Sequence, residues 1–213
     1  MFYFVSTPFL VKKIFPNLIW SFSEDNNNIY LTFDDGPHPQ ITPFVLDELK
    51  KYKAKATFFC IGKNVALYPD VYARIIDEGH AVGNHTYTHM NGYKSADEDY
   101  LEDIYRAKKI IDSNLFRPPY GRITRFQQSC LKQPRYQLKT IMWSVLSGDF
   151  DQSITKEKCL KNVLYSTKKG SIVVFHDSEK AAEKMMYALP EVLKYFSEKG
   201  FGFDSITEKS FIK

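Results

Sequence analysis

Cysteine is scarce and poorly spaced for a scaffold. The 213-residue chain has three, Cys60, Cys130 and Cys159. No CxxC or CxxxC pair exists, so neither a zinc ribbon nor a disulfide framework is indicated. Cys60, inside ATFFCIG, reads as a small buried hydrophobe. A dense Lys/Arg block is also missing. The formal net charge of +4 is mild, and nucleic acid is not an expected partner. The cluster Lys50, Lys51, Lys53 and Lys55 alternates with Tyr52 and Ala54, as a solvated helix end does. Low-complexity segments and internal repeats are absent.

Long apolar runs are lacking as well. The apolar opening MFYFVSTPFLVKKIFPNLIW is interrupted by Lys12 and Lys13. It has no basic start, and no small-residue cleavage site follows it. Its uninterrupted part is too short to span a bilayer. The expectation is an N-terminal segment, residues 1–26, packing on a single domain of residues 27–213, rather than a membrane-surface anchor. The cytoplasm is the default compartment on this reading, with peripheral membrane or envelope association as the alternative.

What is present is the material of an ordered globular domain, with 44% apolar and 15% aromatic residues in a chain long enough to bury a substantial core. Short apolar runs alternate with amphipathic stretches, the pattern of repeated strand–helix units. Strands are expected near 29–33, 55–60, 80–83, 115–117, 138–145, 171–175 and 201–205. Between them, SADEDYLEDIYRAKKIID reads as a helix opened by a Ser95–Glu98 capping box, and VYARIIDEG reads as one stopped by Gly79. Met185, Met186, Leu189, Val192, Leu193 and Phe196 form an apolar stripe suited to core packing, in a helix that Pro190 starts or kinks. Seven such strands suit a mostly parallel sheet, barrel-like or open, with chemistry beyond the C-terminal strand ends.

Those strand ends carry the polar residues. After the first come Asp34 and Asp35, in IYLTFDDGPHP. After the third comes NHTYTH, with His85 and His89. The fourth runs into RPPYG, the fifth into SGDFD, and the sixth into His176 and Asp177. Successive strand residues point to opposite faces, so adjacent aspartates can share a target only where the strand leaves its pleat, as Gly36 and Pro37 allow. Histidines four apart can pair on a helix, although flanking Gly83, Asn84, Asn91 and Gly92 favour a loop. Two histidines and a carboxylate are a common set for a catalytic metal that keeps an open position for water. Asp35 is the natural third ligand, and a cation there offsets the repulsion and leaves Asp34 to work on that water. The stiff turn after Arg117 can fix its guanidinium and a nearby backbone N–H. His176, with Asp149 close by, suits a general acid.

The ordered set TFDDGP (Thr32–Pro37), HTYTH (His85–His89), RPPYG (Arg117–Gly121), SGDFD (Ser147–Asp151) and VFH (Val174–His176) resembles the polysaccharide deacetylases, the NodB-homology domain of carbohydrate esterase family four. The resemblance runs over roughly residues 27–206. It implies an α/β fold, a distorted, incomplete (β/α) barrel of about seven parallel strands, and metal-dependent removal of acetyl groups from N-acetylated sugars. By the same resemblance Asp35, His85 and His89 hold one divalent ion. Zn²⁺ is the default, and Co²⁺, Ni²⁺ or Fe²⁺ fit similarly. Asp34 is the general base and His176 the general acid, while Arg117 positions Asp34 and Asp149 tunes His176. The Tyr120 N–H helps bind the oxyanion, and Phe150 and Val174 line the pocket for the acetyl methyl. Two motifs depart from the family pattern. Leu146 and Phe150 stand where the fourth motif usually has Asp and Trp, and Val174 stands where the fifth usually has Leu.

The expected partner is an N-acetylated oligo- or polysaccharide, for which Tyr87, Tyr93 and Tyr120 could supply stacking faces. Competing readings are a metal-dependent amidase on another acyl group (a formylated lipid-linked sugar or a cyclic amide) and a carbohydrate-binding relative without turnover. A purely structural metal site would more commonly be closed by four protein ligands.

Overall fold

A computed structural model describes residues 3–25 and 27–211. Its elements follow in chain order: α1 (Phe9–Ile14), β1 (Asn28–Asp34), α2 (Ile41–Lys51), β2 (Thr57–Cys60), α3 (Gly62–Leu67), α4 (Pro69–Asp77), β3 (Ala81–Asn84), α5 (Asp97–Lys108), β4 (Leu115–Phe116), α6 (Arg125–Cys130), β5 (Lys139–Thr140), β6 (Val145–Leu146), α7 (Lys156–Ser166), β7 (Ile172–His176), α8 (Ala182–Glu198) and β8 (Gly202–Phe203). The main path of the sheet runs β5-β4-β3-β2-β1-β7-β6, and β8 pairs with β1 beside that path. Every paired strand is parallel to its neighbour. The strands and helices curl into a distorted, incomplete α/β barrel.

The period-two pattern of β1 sorts its side chains by layer. Ile29, Leu31 and Phe33 face outward into a core shared with α2 and α8, contributed by Val45, Leu49, Met185, Leu189 and Val192. Tyr30, by contrast, joins Phe59, Leu115, Ile141, Ile172 and Ile206 in a separate apolar cluster. The same alternation puts Thr32 and Asp34 with Tyr30, and Val174 and His176 with Ile172. Those residues therefore stack above that inner cluster toward the C-terminal strand ends.

Two local expectations need correction. The stretch 138–145 is not one strand. Lys139–Thr140 pairs with β4, whereas Val145–Leu146 pairs with β7, so the chain crosses from one end of the sheet to the other within a few residues. That crossing is where the barrel stays open. Residues of the N-terminal segment bridge both edges there, Ser6 opposite Val145 and Ile19 opposite Ile141. Residues 1, 2 and 26 of that segment lie outside the described residues. The capping box at Ser95–Glu98 is also not formed. The N-cap of α5 is Ala96, and the Ser95 hydroxyl donates instead to Asn91 O at 3.0 Å. Three acids in the first turn, Asp97, Glu98 and Asp99, complement the helix dipole in its place. A capping box does open α6, between Thr124 and Gln127. Of the two readings of Pro190, the helix start is excluded, because Pro190 lies inside α8.

Among the described residues, no helix is long and apolar enough to cross a membrane. The three cysteines are free and buried.

Candidate active site

Asp34 is the last residue of β1, and its side chain points into the barrel. Asp35 follows with a φ of +82°, a left-handed conformation that a non-glycine residue adopts only when its surroundings over-determine it. That single twist lets two consecutive carboxylates turn to one rim. The turn is held from behind. Gly36 N donates to Asp177 Oδ1 at 3.0 Å, and the Thr42 hydroxyl donates to Asp177 Oδ2. A Cβ on Gly36 would sit 2.1 Å from that carboxylate, so only glycine fits. Asn64 Nδ2 donates to Asp35 O at 2.8 Å.

The second strand end supplies the histidines from a loop, not a helix. Thr86 and His89 carry φ values of +62° and +60°, and Asp103 on α5 accepts from the N–H groups of Tyr87 and Thr88 at 2.9 and 2.8 Å. Folded this way, Nε2 of His89 lies 3.1 Å and Nε2 of His85 lies 3.6 Å from Asp35 Oδ1. His85 Nδ1 contacts Arg117 O at 2.8 Å. With Nδ1 donating to that carbonyl, the lone pair of Nε2 is turned toward Asp35.

Burial pushes His85 down to about 4, which keeps it neutral, the form that binds a metal. Burial alone would raise Asp35, but the His89 ring beside it and the charge of the His176 imidazolium outweigh it and hold the carboxyl far below its usual range. Despite this company, Asp35 Oδ1 is buried without a well-aligned hydrogen-bond partner. An anionic oxygen is rarely left so. One ligand atom from each of Asp35, His85 and His89 lies within 4.8 Å of the others. An orphaned carboxylate oxygen facing two imidazole nitrogens fits a divalent ion of the zinc type.

Asp34 and His176 flank this cluster, each held by a buried partner. Arg117 is fully buried. Its Nη1 donates to Asp34 Oδ1 and to Thr32 Oγ1, each at 2.7 Å, and Nε and Nη2 reach Ile141 O and Met142 O at 3.2 and 2.9 Å. The guanidinium lies over the Phe59 ring at 4.1 Å. Asp149 is equally buried and receives His176 twice, the backbone N–H at 2.7 Å and Nδ1 at 2.8 Å. Burial would lower the imidazole, but the Asp149 charge and hydrogen bond overcome it and raise His176 to about 10.

Tyr120 sits in a tight turn with φ +59°, half exposed, its ring edge-on to His89 at 4.7 Å. Phe150 packs edge-on to His176 at 5.3 Å. Val174 is buried, two residues before His176 on the same face of β7. Thus Asp34, Asp35, His85, His89, Arg117, Tyr120, Asp149, Phe150, Val174 and His176 gather at one rim. The sequence gives no supporting role to Thr32, Asn64, Asp103 or Asp177, which hold the others. Asp103 had a visible signal, an acid among the buried positions Tyr100, Ile104 and Ala107 of α5. Asp177 was visible as a strand-end acid beside His176, but its contacts with Thr42 and Gly36 were not, because those residues meet only through the fold.

Comparison with known proteins gives a consistent picture. The sequence model of the family described as polysaccharide deacetylase matches residues 23–138. A peptidoglycan-N-acetylglucosamine deacetylase of Bacillus cereus is 35% identical, covering 93% of this chain and 96% of the relative. A chitooligosaccharide deacetylase of Azorhizobium caulinodans is 33% identical, covering 78% of this chain and 80% of the relative. Among solved structures, the Bc1960 peptidoglycan N-acetylglucosamine deacetylase superposes with a TM-score of 0.81 at 29% identity, over 94% of this chain and 95% of that one.

Proposed function

The chain belongs to the polysaccharide deacetylase family, and from that premise we propose that it hydrolyses the acetamide of N-acetylated sugars in an oligo- or polysaccharide, releasing acetate and a free amine. The observation that carries this reading is the convergence of Asp35, His85 and His89 between a carboxylate fixed by Arg117 and an imidazolium fixed by Asp149. The relatives named for N-acetylglucosamine in peptidoglycan and for chitooligosaccharides support an N-acetylglucosamine-containing glycan as the substrate class.

Asp35, His85 and His89 would hold one divalent ion, Zn²⁺ by the character of the donor set. When bound, such an ion supplies Lewis-acid polarisation of the carbonyl and a more acidic water. Arg117 occupies one oxygen of Asp34 and leaves the other to take the proton of the attacking water. The Tyr120 N–H, held in its strained turn, donates to the oxygen that gains charge as the carbonyl carbon becomes tetrahedral. His176 has Nδ1 committed to Asp149, so Nε2 carries the proton that passes to the departing amine as the C–N bond breaks. The products are one carboxylate and one amine, with the elements of one water divided between them.

Asp34→Asn tests the assignment. Removing the base lowers the rate of acetate release by about 10²–10⁴ while the metal cluster remains loaded. Near-full turnover by this variant would refute the role of Asp34. A second reading, a deacylase for another acyl group, rests on Phe150 and Leu146 at positions where the family usually has larger or charged residues. Formate release exceeding acetate release from matched N-acyl sugars would favour it.

A further inference from the structure

The loop that carries Asp149 and Phe150 is gripped by a residue far away in sequence. The backbone of the N-terminal segment runs antiparallel to the end of β6. Leu146 N donates to Val5 O at 2.8 Å, Thr7 N to Ser144 O at 3.0 Å, and the Thr7 hydroxyl to Trp143 O at 2.8 Å. This register delivers Tyr3 onto the turn Ser147–Asp151. Its ring packs against Phe150 with centroids 5.2 Å apart, and Phe150 in turn packs against His176 at 5.3 Å. Its hydroxyl reaches the Asp151 carboxylate, and burial together with that bond pushes the phenol up to about 12. The approach to Gly148 is so close that a Cβ there would lie 2.7 Å from the Tyr3 oxygen. Three of four consecutive residues in this turn therefore meet Tyr3.

We infer that Tyr3 is a positioning residue for acyl-group selectivity, the outer half of a two-ring wall whose inner half, Phe150, closes the acyl side of the site against His176. The inference rests on the deacylase reading above. An aromatic ring with apolar support on only one side can swing, and a site walled by such a ring admits longer acyl chains. With Tyr3 behind it, Phe150 is fixed against His176, and the space beside the reacting carbonyl is limited to a short acyl group. Positioning of this kind alters discrimination between acyl groups far more than it alters folding.

The test compares the metal-loaded full chain with Tyr3→Ala, Tyr3→Leu and Tyr3→Phe on one oligosaccharide carrying either N-acetyl or N-butyryl groups. The readout is the ratio of kcat/KM values for the two, with kcat and KM recorded separately. Tyr3→Ala lowers the acetyl-over-butyryl ratio by about tenfold, the scale on which pocket walls discriminate methylenes, chiefly by lowering KM for the butyryl sugar. Tyr3→Phe keeps the ring and restores the parent ratio. Should Tyr3→Ala fail to fold, Tyr3→Leu carries the same expectation in reduced size. A parent that prefers acetyl and an Ala or Leu variant with an unchanged ratio would overturn the inference and leave the deacylase reading standing. A parent that releases neither acyl group would overturn both.

Discussion

Arg117 is the residue on which most of the site depends. A guanidinium with no solvent exposure carries a desolvation cost of several kcal/mol, visible in its lowered pKa, which burial pulls down and Asp34 only partly restores. That cost is offset by two carbonyls, one hydroxyl, one carboxylate and an aromatic face. Its own carbonyl also orients His85. Arg117→Met would leave Asp34 as an uncompensated buried charge and should cost about 3–5 kcal/mol, measurable by urea unfolding, along with nearly all activity. Lysine should not rescue it, since one ammonium cannot reproduce the planar fork.

The two shifted imidazoles give opposite limbs of a pH profile. His176 is raised to about 10, above its unfolded value near 6.5. Its contribution to stability is fully present below about 6.5 and is lost as pH rises through about 10. The acid role proposed for it would fail as the same proton is lost. The alkaline fall in kcat/KM should therefore lie above neutrality in the parent, held there by Asp149, and move toward neutrality in Asp149→Asn. His85 is lowered to about 4. Between about 6.5 and 4 the unfolded chain binds a proton there that the metal-free folded chain refuses. Stability of the metal-free protein should fall over that range, by on the order of 3 kcal/mol from this group. An acid titration followed by circular dichroism reads it.

At the scale of elements, the barrel supplies direction and the loops supply strain. Strands β1 and β7 run in register, Asp34 opposite His176, which alone places the proposed base and the proposed acid on neighbouring strand ends. Asp35, Thr86, His89 and Tyr120 all have positive φ, so the loops are held in costly conformations by partners behind them. Asp103 is one such partner. Asp103→Ala should free the Tyr87 and Thr88 amides, loosen the 85–89 loop and weaken metal affinity by about 10–100-fold while leaving the sheet intact. Metal-competition titration would show it. A variant with parent affinity would mean that the loop needs no support from α5.

Legibility in the sequence follows the same division. Strand ends were readable because polar residues terminate apolar runs. In β1 and β7, burial on both faces made those runs continuous. The loop conformation at His85–His89 was foreshadowed by Gly83, Asn84 and Gly92. The division of 138–145 was not readable, since its apolar residues suit either strand and only the pairing partners β4 and β7 distinguish them. The false Ser95–Glu98 box shows a local motif losing to a tertiary competitor, because Asn91 O takes the serine hydroxyl.

At the scale of the molecule, the N-terminal segment bridges the open seam of an incomplete barrel, and the carboxylates and imidazoles of the candidate site gather at one rim. The central claim is that Asp35, His85 and His89 hold one divalent ion and that acetate release depends on it. The most direct measurement is acetate released from a short N-acetylglucosamine oligomer by chelator-stripped protein titrated with Zn²⁺. The account predicts that stripped protein is inactive and that activity rises with added zinc to a plateau at about one equivalent per chain, with Asp35→Ala showing neither the binding nor the activity. Full acetate release by thoroughly stripped protein, or no zinc bound by the parent chain, would contradict it.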